Sequence, residues 1–586
     1  MTAPRTGGRA EVSILEETLG DPGQAARENA ELDAAEEFPA ATCARLDAFG
    51  LAAYYVPAEF GGKLDDHEVF LQLLRTVARR DVSATVAHAK TYLGVAPVWV
   101  SGSPEQVTGV ADVVLSAGPV GWALSEPEHG ADLLNGSCTA TPQAGGYRLD
   151  GVKWPINNAT RADLLTVLAR TGEHGGARGH SLFLFDKTQA ASGTWRALPK
   201  VPTHGIRGID ISGIEFTGAW LPATARIGAE GTGVETVLRA LQLTRTMCAV
   251  LSLGAGEHAL RLTGRFVATR LIQRRPLIER PYPAAILAQS AAQLAAVEAA
   301  ALVGSRSIHS LTEEMSVVSP VVKALAPTLV DSMLAELAEL LGARSFLTGV
   351  YEHGAFQKVR RDHQVVSIFD GSTPVNRAGL IQQYPRLVRG FAKGAADTDG
   401  LREAVAVGEP VRNLDHTALT LMSRRGCSLV QSLPGFVASL DTRTVPNGLA
   451  EHAHVLCTVV EQLHALMADT RPGARPPMAA YELAAAYELC YAGAACLHLW
   501  CTGESGHQGE PLWEDGLWVR AALRMLLARI ADVLRMPKPA AAPGDDRIDG
   551  PLSLLVAEAA QTGAAVTPFG DPMPLPVTEL GGPSGR

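Results

Sequence analysis

The sequence predicts an α+β fold in which helical segments flank a central β region. Three observations support this order. Ala-, Leu- and Glu-rich stretches repeat near the helical period from about residue 11 to residue 110. Short β-like runs separated by Gly, Asn and Asp then follow from Gly121 to Phe216. The helical period returns after Gly233, and a chain of 586 residues is too long for a single core.

Within the first helical region, the sequence VPAEFGG at 56–62 marks a tight turn, because Pro fixes its own φ and the Gly pair permits unusual backbone angles. The central region contains strand-like runs at 147–153, 164–170 and 181–185, which predict an antiparallel β domain. Long helical patterns follow at 285–308 and 322–341, and a further helical segment continues to about residue 536.

These changes in hydrophobic period and in Gly and Pro content predict five segments. They are an N-terminal helical domain at 11–115, a central β domain at 116–230, a C-terminal helical domain at 231–392, a helical extension at 393–536 and a Pro/Gly-rich tail at 537–586. The tail opens with MPKPAAAPG, which is typical of a stiff linker.

Composition narrows the possible functions. The net charge of −10 argues against a nucleic-acid-binding protein or a basic membrane-surface protein, since both need cationic patches. No run of 18 apolar residues lacks a charge, so we expect no membrane span. The N-terminus has no apolar signal region, and the eight cysteines form no CxxC framework. These features predict a protein of the reducing cytoplasm.

Three groups of motifs carry the chemical signal. The first is LSEPEHGAD at 124–132 with GVKWPINN at 151–158. The second is QRRPL at 273–277 with LLGARSF at 340–346, and the third is RDHQVVSIFDGS at 361–372. Each motif alone is compatible with a strand turn, a solvated helix end or a helix–helix turn.

Taken together and in this order, the motifs resemble those of the acyl-CoA dehydrogenase family from about Leu15 to Arg389. The resemblance implies an N-terminal helical domain, a central β domain and a C-terminal four-helix domain. It also implies FAD bound between the last two domains with help from a neighbouring subunit, and therefore a homodimer or homotetramer. No Rossmann GxGxxG motif is present, and the family does not need one.

The chemistry implied by the resemblance is α,β-dehydrogenation of an acyl thioester. A carboxylate removes the α-proton while the β-hydrogen leaves as hydride to the flavin. Because the α-C–H of a thioester is a poor acid, such a site needs a base beside the α-carbon and donors at the carbonyl oxygen. The flavin performs the redox step, and the protein positions it.

The resemblance places the catalytic base at Asp370, where the family has Glu in a Tyr-Glu-Gly-Thr turn. Asp reaches about 1.5 Å less far from the backbone, and a misplacement of about 1 Å can cost on the order of a hundredfold in rate. Some family members carry the base on the preceding helix, but here that position is Thr244, followed by Arg245. The resemblance puts Thr244, Arg245, Phe369 and Gly371 around the substrate, although Asp370 could instead be an ordinary turn residue.

The same comparison assigns the flavin contacts. In the β domain they are Trp122, Leu124, Ser125, Gly130, Ala131, Pro155 and Asn157; in the helical domain they are Arg274, Leu277, Glu339, Gly342 and Ser372. Several depart from the family pattern: Pro155 stands at a Trp position, with Trp154 one place earlier, and Asn157 at a Thr position. Glu339 replaces a Gln, and near a pyrophosphate it would be unfavourable unless it points away or pairs with Arg344.

Other interpretations remain open. A flavin oxidase or monooxygenase of the same fold, resembling nitroalkane oxidase, would keep the cofactor and change the reaction. A degenerate scaffold would bind an acyl carrier without redox turnover. The His and Cys residues of the extension, such as His454 and Cys457, favour helix packing over a metal site. The sequence leaves open whether the thioester carrier is coenzyme A or an acyl carrier protein, and which electron acceptor serves the enzyme.

Overall fold

A computed structural model describes residues 7–172 and 176–570. It contains a helical region, a β domain, a second helical region and a helical extension, in that order along the chain. The predicted fold class is confirmed.

From Gly7 onward, the described part of the N-terminal region contains six α-helices: α1 (Gly7–Leu19), α2 (Pro22–Ala35), α3 (Ala40–Phe49), α4 (His67–Arg80), α5 (Val82–Ser101) and α6 (Pro104–Leu115). Aspartates set the ends of the central pair: the carboxylate of Asp66 accepts from the Glu68 N–H to begin α4, and that of Asp81 accepts from the Ser83 N–H to begin α5. Most of α5 is buried, so this helix packs into the centre of the protein. The first helix begins at Gly7, four residues before the predicted start of the domain.

Outside residues 173–175, the β domain contains eight strands: β1 (Val120–Ala123), β2 (Thr139–Gln143), β3 (Gly146–Asn157), β4 (Leu164–Arg170), β5 (His180–Asp186), β6 (Trp195–Leu198), β7 (Ile211–Pro222) and β8 (Arg226–Ile227). The main strand order is β6-β7-β3-β2-β4-β5-β8. Most pairs are antiparallel as predicted, but β1 runs parallel to β4. The register of β3 against β7 shifts between Lys153 and Ile156, within the motif that the sequence singles out.

The C-terminal region contains α7 (Gly233–Met247), α8 (Ala249–Thr269), α9 (Pro281–Ser310), α10 (Met315–Leu341), α11 (Ala355–His363) and α12 (Thr373–Lys393). A hairpin of β9 (Leu271–Ile272) and β10 (Arg275–Pro276) joins α8 to α9. Two segments, Pro281–Ser310 and Thr312–Ser345, are long and apolar enough to cross a membrane, yet 89% and 83% of their most apolar stretches are buried in the protein. They are core helices.

The extension adds α13 (Thr398–Ala404), α14 (Ser428–Gln431), α15 (Leu433–Leu440), α16 (Leu449–Ala468), α17 (Met478–Gly503), α18 (Leu517–Leu534) and α19 (Asp549–Thr562). The helix α17 packs on α9, α10 and α12. Its Glu488 accepts two hydrogen bonds of 2.9 Å from Arg377 of α12, so the extension is joined to the C-terminal region by a bidentate ion pair.

The last helix, α19, lies in the segment that the sequence describes as a Pro/Gly-rich tail. It packs against α8 and α9, and Leu552, Val556 and Ala560 are buried at successive turns. A Cβ atom added at Gly264 of α8 would lie 3.0 Å from the Ala560 side chain. The four-residue spacing of these apolar side chains is typical of a helix. This helix is not predicted from the sequence, because the neighbouring prolines and glycines favour turns.

A buried carboxyl also connects the extension to the core. Glu314, just before α10, accepts a hydrogen bond of 2.8 Å from the Ser428 N–H and one of 2.5 Å from its hydroxyl. Burial raises the pKa of Glu314 to about 7, because the hydrogen bonds from Ser428 only partly offset the desolvation of the charge.

We expect this carboxyl to make stability depend on pH near neutrality. A group whose pKa is higher in the folded state stabilises that state at low pH, and the contribution disappears as pH rises through the folded pKa. The free energy of unfolding should therefore fall by up to about 3 kcal/mol as pH rises from about 5 to above 7. Urea unfolding at a series of pH values measures it.

Glu314→Gln is the test variant, because its amide can still accept from the Ser428 N–H and donate to the hydroxyl. The unfolding free energy of Glu314→Gln should no longer decrease between about pH 5 and pH 7. That of Glu451→Gln, at an exposed position of α16, should decrease as in the wild type. An unchanged pH profile in Glu314→Gln would contradict the assignment.

Candidate active site

The helix α5 connects the β domain to the turn that contains Asp370. Thr166 of β4 donates its hydroxyl to the Gly94 carbonyl at 3.1 Å, and the Asn158 amide lies 3.4 Å from the Ala87 carbonyl. A Cβ atom at Gly94 would lie only 2.5 Å from the Val120 carbonyl oxygen of β1. Glycine at position 94 therefore allows α5 to pack directly on the strand.

Arg245 holds the Asp370 turn through its backbone. The guanidinium Nε of Arg245, on α7, donates to the Asp370 carbonyl at 2.8 Å, and the Asn376 amide donates to the carbonyls of Gly371 and Ser372 at 2.7 and 3.0 Å. Asp370 and Gly371 have φ values of +56° and +86°, and a Cβ atom at Gly371 would lie 2.7 Å from Arg245. Asp and Gly both tolerate left-handed backbone angles, and Gly371 also leaves room for the Arg245 guanidinium.

One oxygen of the Asp370 carboxylate is held by two side chains. Lys90 Nζ of α5 lies 3.0 Å from Oδ2, and Cys248 Sγ donates to the same atom at 2.9 Å. The Lys90 and Asp370 side chains are only 11% and 9% exposed, and Nζ also lies 3.5 Å from the centre of the Phe369 ring. Among the residues that the structure describes, none donates to Oδ1, so this oxygen remains free to accept a proton.

A small cavity borders Lys90. It encloses about 30 Å³ between α4, α5, α7 and α8, and its walls are mainly Leu, Val, Met and Ala side chains, joined by Thr244 and Cys248. The volume has room for about one or two water molecules. The Thr244 hydroxyl is fully buried and has no hydrogen-bond partner in the described structure, although buried hydroxyls normally have one.

Two further cations surround the carboxylate. Burial lowers the pKa of Arg245, although the charge of Asp370 acts in the opposite direction. Burial likewise lowers the pKa of Lys323, on α10, whose ammonium donates to the Val366 carbonyl and lies 5.1 Å from the centre of the Phe369 ring. The Asp370 turn is therefore an electropositive, largely desolvated site.

In the β domain a buried ion pair fixes the segment after β1. Lys153 Nζ of β3 donates to the Leu124 carbonyl at 3.0 Å and to the Glu126 carboxylate at 2.8 Å. Burial acts to raise the pKa of Glu126, but the charge of Lys153 and the hydrogen bonds from Lys153 and Ser137 outweigh it and lower the pKa to about 2. The Ser125 carbonyl in turn accepts from the Trp154 N–H at 2.9 Å.

The other predicted flavin contacts of the β domain lie around this pair. The indole Nε1 of Trp122 and the amide Oδ1 of Asn157 are buried and have no hydrogen-bond partner within the described residues. Pro155, Gly130 and Ala131 are exposed. One of these two unpaired atoms is a donor and the other an acceptor, and the edge of a polar planar ring carries partners for both.

The predicted residues of the helical domain form a separate group. Arg274 is exposed at the tip of the β9–β10 hairpin, and Gly342 is exposed at the end of α10. Leu277 is buried, with 8% of its surface exposed. Glu339 does not pair with Arg344 in the described structure, because its carboxylate accepts a hydrogen bond from the Tyr282 hydroxyl at 3.0 Å. None of these four residues contacts Asp370 in the described structure, whereas Ser372 lies in its turn and begins α12.

Sequence reasoning missed Lys90, Cys248 and Lys323. The sequence feature that could have identified them is a polar or ionisable side chain within an otherwise apolar helix, as in ATVAHAKTYLGVAPVWV at 84–100. A buried lysine is rare without a partner, but nothing in the sequence shows that α5 reaches the Asp370 turn.

The His and Cys residues of the extension have packing roles. His464 stacks on the Phe391 ring, with 4.0 Å between the ring centres, and His498 bonds the Ser432 hydroxyl at 3.0 Å. Over residues 7–172 and 176–570, no group of three or more His, Cys, Asp and Glu side chains is arranged to hold a metal ion.

The fold and this site define a class of protein, the FAD-dependent oxidoreductases built from helical, β and helical domains. The N-terminal, middle and C-terminal domain models of acyl-CoA dehydrogenases match residues 23–110, 121–219 and 231–384. The chain belongs to the acyl-CoA dehydrogenase family, whose members use FAD to dehydrogenate acyl thioesters.

Curated relatives carry the names of acyl-CoA dehydrogenases. The human mitochondrial short-chain specific acyl-CoA dehydrogenase is 26% identical over 357 residues, which are 59% of this chain and 83% of the relative. Cyclohex-1-ene-1-carbonyl-CoA dehydrogenase of Geobacter metallireducens is 25% identical over 357 residues, with 59% and 90% covered.

Among solved structures, an acyl-CoA dehydrogenase of Bacillus anthracis in complex with FAD has a TM-score of 0.69 at 17% identity and covers 95% of both chains. The prolyl acyl carrier protein oxidase AnaB has a TM-score of 0.57 at 18% identity, with 65% of this chain and 99% of that chain covered. The match to the Bacillus anthracis structure therefore includes the helical extension, whereas AnaB is too short to contain it.

We expect the Glu126–Lys153 pair to be essential for the β domain. Lys153→Met would leave a buried carboxylate without its cation, and should lower the free energy of unfolding by about 3–5 kcal/mol. Urea unfolding followed by fluorescence measures the loss. The matched control is Lys200→Met, since Lys200 lies 3.9 Å from Glu36 in a partly exposed pair, and its loss should cost at most about 1 kcal/mol. Equal losses in the two variants would contradict the prediction.

Proposed function

We propose that the protein catalyses α,β-dehydrogenation of an acyl thioester with Asp370 as the base that removes the α-proton. The observation that carries the proposal is the asymmetry of the Asp370 carboxylate: Oδ2 is held by Lys90 and Cys248, while Oδ1 accepts no hydrogen bond from any described residue. A carboxylate fixed through one oxygen presents the other in a defined direction, which is what proton transfer from carbon requires.

Arg245 serves this base as a positioning residue. Its hydrogen bond to the Asp370 carbonyl fixes the backbone of the turn, and the guanidinium also contributes positive charge beside the site where negative charge develops on the thioester. The shorter Asp side chain is then compensated by the placement of the turn. Thr244, Phe369 and Gly371 complete the proposed substrate surface.

FAD would be held in part by the β domain. Trp122, Leu124, Ser125 and Asn157 lie at or next to β1 and β3, and the unpaired polar atoms of Trp122 and Asn157 supply hydrogen-bonding capacity for the ring edge. Gly130, Ala131 and Pro155 are exposed, and we assign them to the same cofactor-binding surface. When bound, FAD accepts the hydride, and these side chains orient its ring and exclude water.

The remaining cofactor contacts would come from a second copy of the chain. Large apolar side chains are exposed near the hairpin and beyond α10: Leu271 at 59%, Tyr282 at 60%, Phe346 at 84% and Val350 at 61%. Exposed apolar surface of this kind marks an interaction site. We therefore assign Arg274, Leu277, Glu339, Gly342 and Ser372 to an FAD-binding surface completed in a homodimer or homotetramer.

The proposal places the protein in the cytoplasm and leaves the thioester carrier to experiment. Asp in place of the family Glu supports a specialised, biosynthetic substrate over routine fatty-acid oxidation. Coenzyme A and acyl carrier protein thioesters of the same acyl group distinguish the carriers.

The first test replaces the base. Asp370→Asn keeps the size of the side chain and cannot take the proton, so flavin reduction by the substrate should slow by about 100- to 10,000-fold. Purified, FAD-loaded protein is mixed with a panel of acyl thioesters, and bleaching of the oxidised flavin absorption is followed in a stopped-flow instrument. FAD content is measured for each preparation.

Asp399→Asn is the matched control, because Asp399 is exposed and pairs only with Arg402. It should reduce its flavin at the wild-type rate. If Asp370→Asn also reduces at that rate, Asp370 is a turn residue; if wild-type protein carries no FAD and none can be loaded, the scaffold interpretation replaces the enzyme.

A flavin oxidase is the second candidate, favoured by the structural likeness to a protein named as an acyl carrier protein oxidase. In that case, reduced protein should release peroxide rapidly and consume oxygen with no other electron acceptor. An oxygen electrode measures this directly, and slow reoxidation in air would favour the dehydrogenase.

A further inference from the structure

The Asp370 turn has more positive than negative charge. Three cationic side chains from three different helices surround the carboxylate: Lys90 from α5, Arg245 from α7 and Lys323 from α10. Lys90 pairs with Oδ2 directly, Arg245 binds the backbone carbonyl of Asp370, and the Lys323 ammonium bonds the Val366 carbonyl.

The described structure supplies no second anion here. Among the described residues, Asp370 pairs with Lys90, and no carboxylate lies within 4.0 Å of the Arg245 or Lys323 side-chain nitrogens. Cys248 is neutral, because burial and the adjacent Asp370 raise the pKa of its thiol far above the ordinary value. The site therefore contains three basic side chains and one carboxylate.

Such an excess is costly in a desolvated site. The Lys90 side chain is 11% exposed and Lys323 is 1% exposed, so water solvates little of this charge. Buried charges are normally paired or bound to a ligand of opposite sign. An additional anion would therefore be favourable at this site when it is closed over its substrate.

The cavity beside Lys90 shows where that anion belongs. Lys90 and Thr244 are both part of its wall, and the Thr244 hydroxyl is a fully buried donor without a partner in the described structure. Lys90 and Thr244 carry an ammonium and a hydroxyl, two donors from which a carboxylate can accept hydrogen bonds. The remaining wall is mainly apolar, with Thr85, Tyr92 and Cys248 beside Leu, Val, Met and Ala side chains, which suits a short hydrocarbon segment.

We propose that the substrate is a short acyl thioester that carries a second carboxylate at the far end of its acyl group, recognised by Lys90 and Thr244. This inference rests on the proposed function and specifies its substrate class. Binding would exchange one ion pair for another: Lys90 turns from Asp370 Oδ2 to the substrate carboxylate, which frees the base when the correct acyl group is present. The cavity of about 30 Å³, enlarged by this movement, limits the acyl group to a few carbons.

The test compares acyl groups of equal length. Succinyl and butyryl thioesters, and glutaryl and pentanoyl thioesters, differ at the terminus between a carboxylate and a methyl group. Wild-type holoenzyme should reduce its flavin with the carboxylate-bearing member of a pair at a kcat/KM about 10- to 100-fold higher, since a charged hydrogen bond of this kind is gained. Calorimetric titration with the same thioesters under anaerobic conditions reports binding independently of turnover.

Lys90→Met should abolish the preference within each pair, and Lys90→Arg should retain most of it. Lys393→Met is the matched control, because Lys393 is exposed at the end of α12, and it should behave as the wild type. Thermal unfolding of each variant checks that it is folded.

Three results decide the question. Wild-type preference for the uncharged thioesters overturns the proposal. Equal slowing of both members of a pair by Lys90→Met also overturns it, because Lys90 would then only position Asp370. If no thioester reduces the flavin while calorimetry still shows Lys90-dependent binding of the carboxylate-bearing ones, the proposed function fails and the recognition site stands.

Discussion

Burial of the Asp370 carboxylate is the constraint on which the site depends. A carboxylate removed from water is tolerated only where cations and hydrogen-bond donors replace its hydration. Here Lys90 and Cys248 meet its side chain, and Arg245 meets its backbone. These three partners come from α5 and from the α7–α8 region, so the packing of the N-terminal helices on the C-terminal helices determines the geometry of the proposed base.

The β domain follows the same principle with the charges in balance. Glu126 and Lys153 neutralise one another, and each of the remaining polar atoms of the pair meets a backbone group near β1 or β2. The consequence is a rigid segment that presents Ser125 and Trp154 at a fixed position. The two sites differ in their charges. Glu126 and Lys153 neutralise each other and fix the β domain, whereas the basic groups around Asp370 outnumber its carboxylate and can bind an anionic ligand.

Much of this could be predicted from the sequence. The order of domains follows from the change of hydrophobic period, and the Asp-Gly turn at 370–371 follows from its motif, since both depend on local patterns. The partners of Asp370 could not be predicted, because Lys90 lies 280 residues earlier in the chain and local patterns contain no information on such contacts. The helix α19 was obscured by the prolines around it, and the pairing of Glu339 with Tyr282 depends on how α9 and α10 pack.

The short acid and the additional cation can be understood together. A Glu at position 370 would place its carboxylate about 1.5 Å farther from the turn, beyond the position where Cys248 and Lys90 both reach the same oxygen. Asp instead holds the charge close to the backbone, next to the guanidinium of Arg245 and the ring of Phe369. Both side chains that hold Asp370 Oδ2, Lys90 and Cys248, also line the small cavity. The substitution therefore does more than shorten a base: it changes which groups the base contacts, and it couples the protonation site to the side chain that would recognise the acyl group.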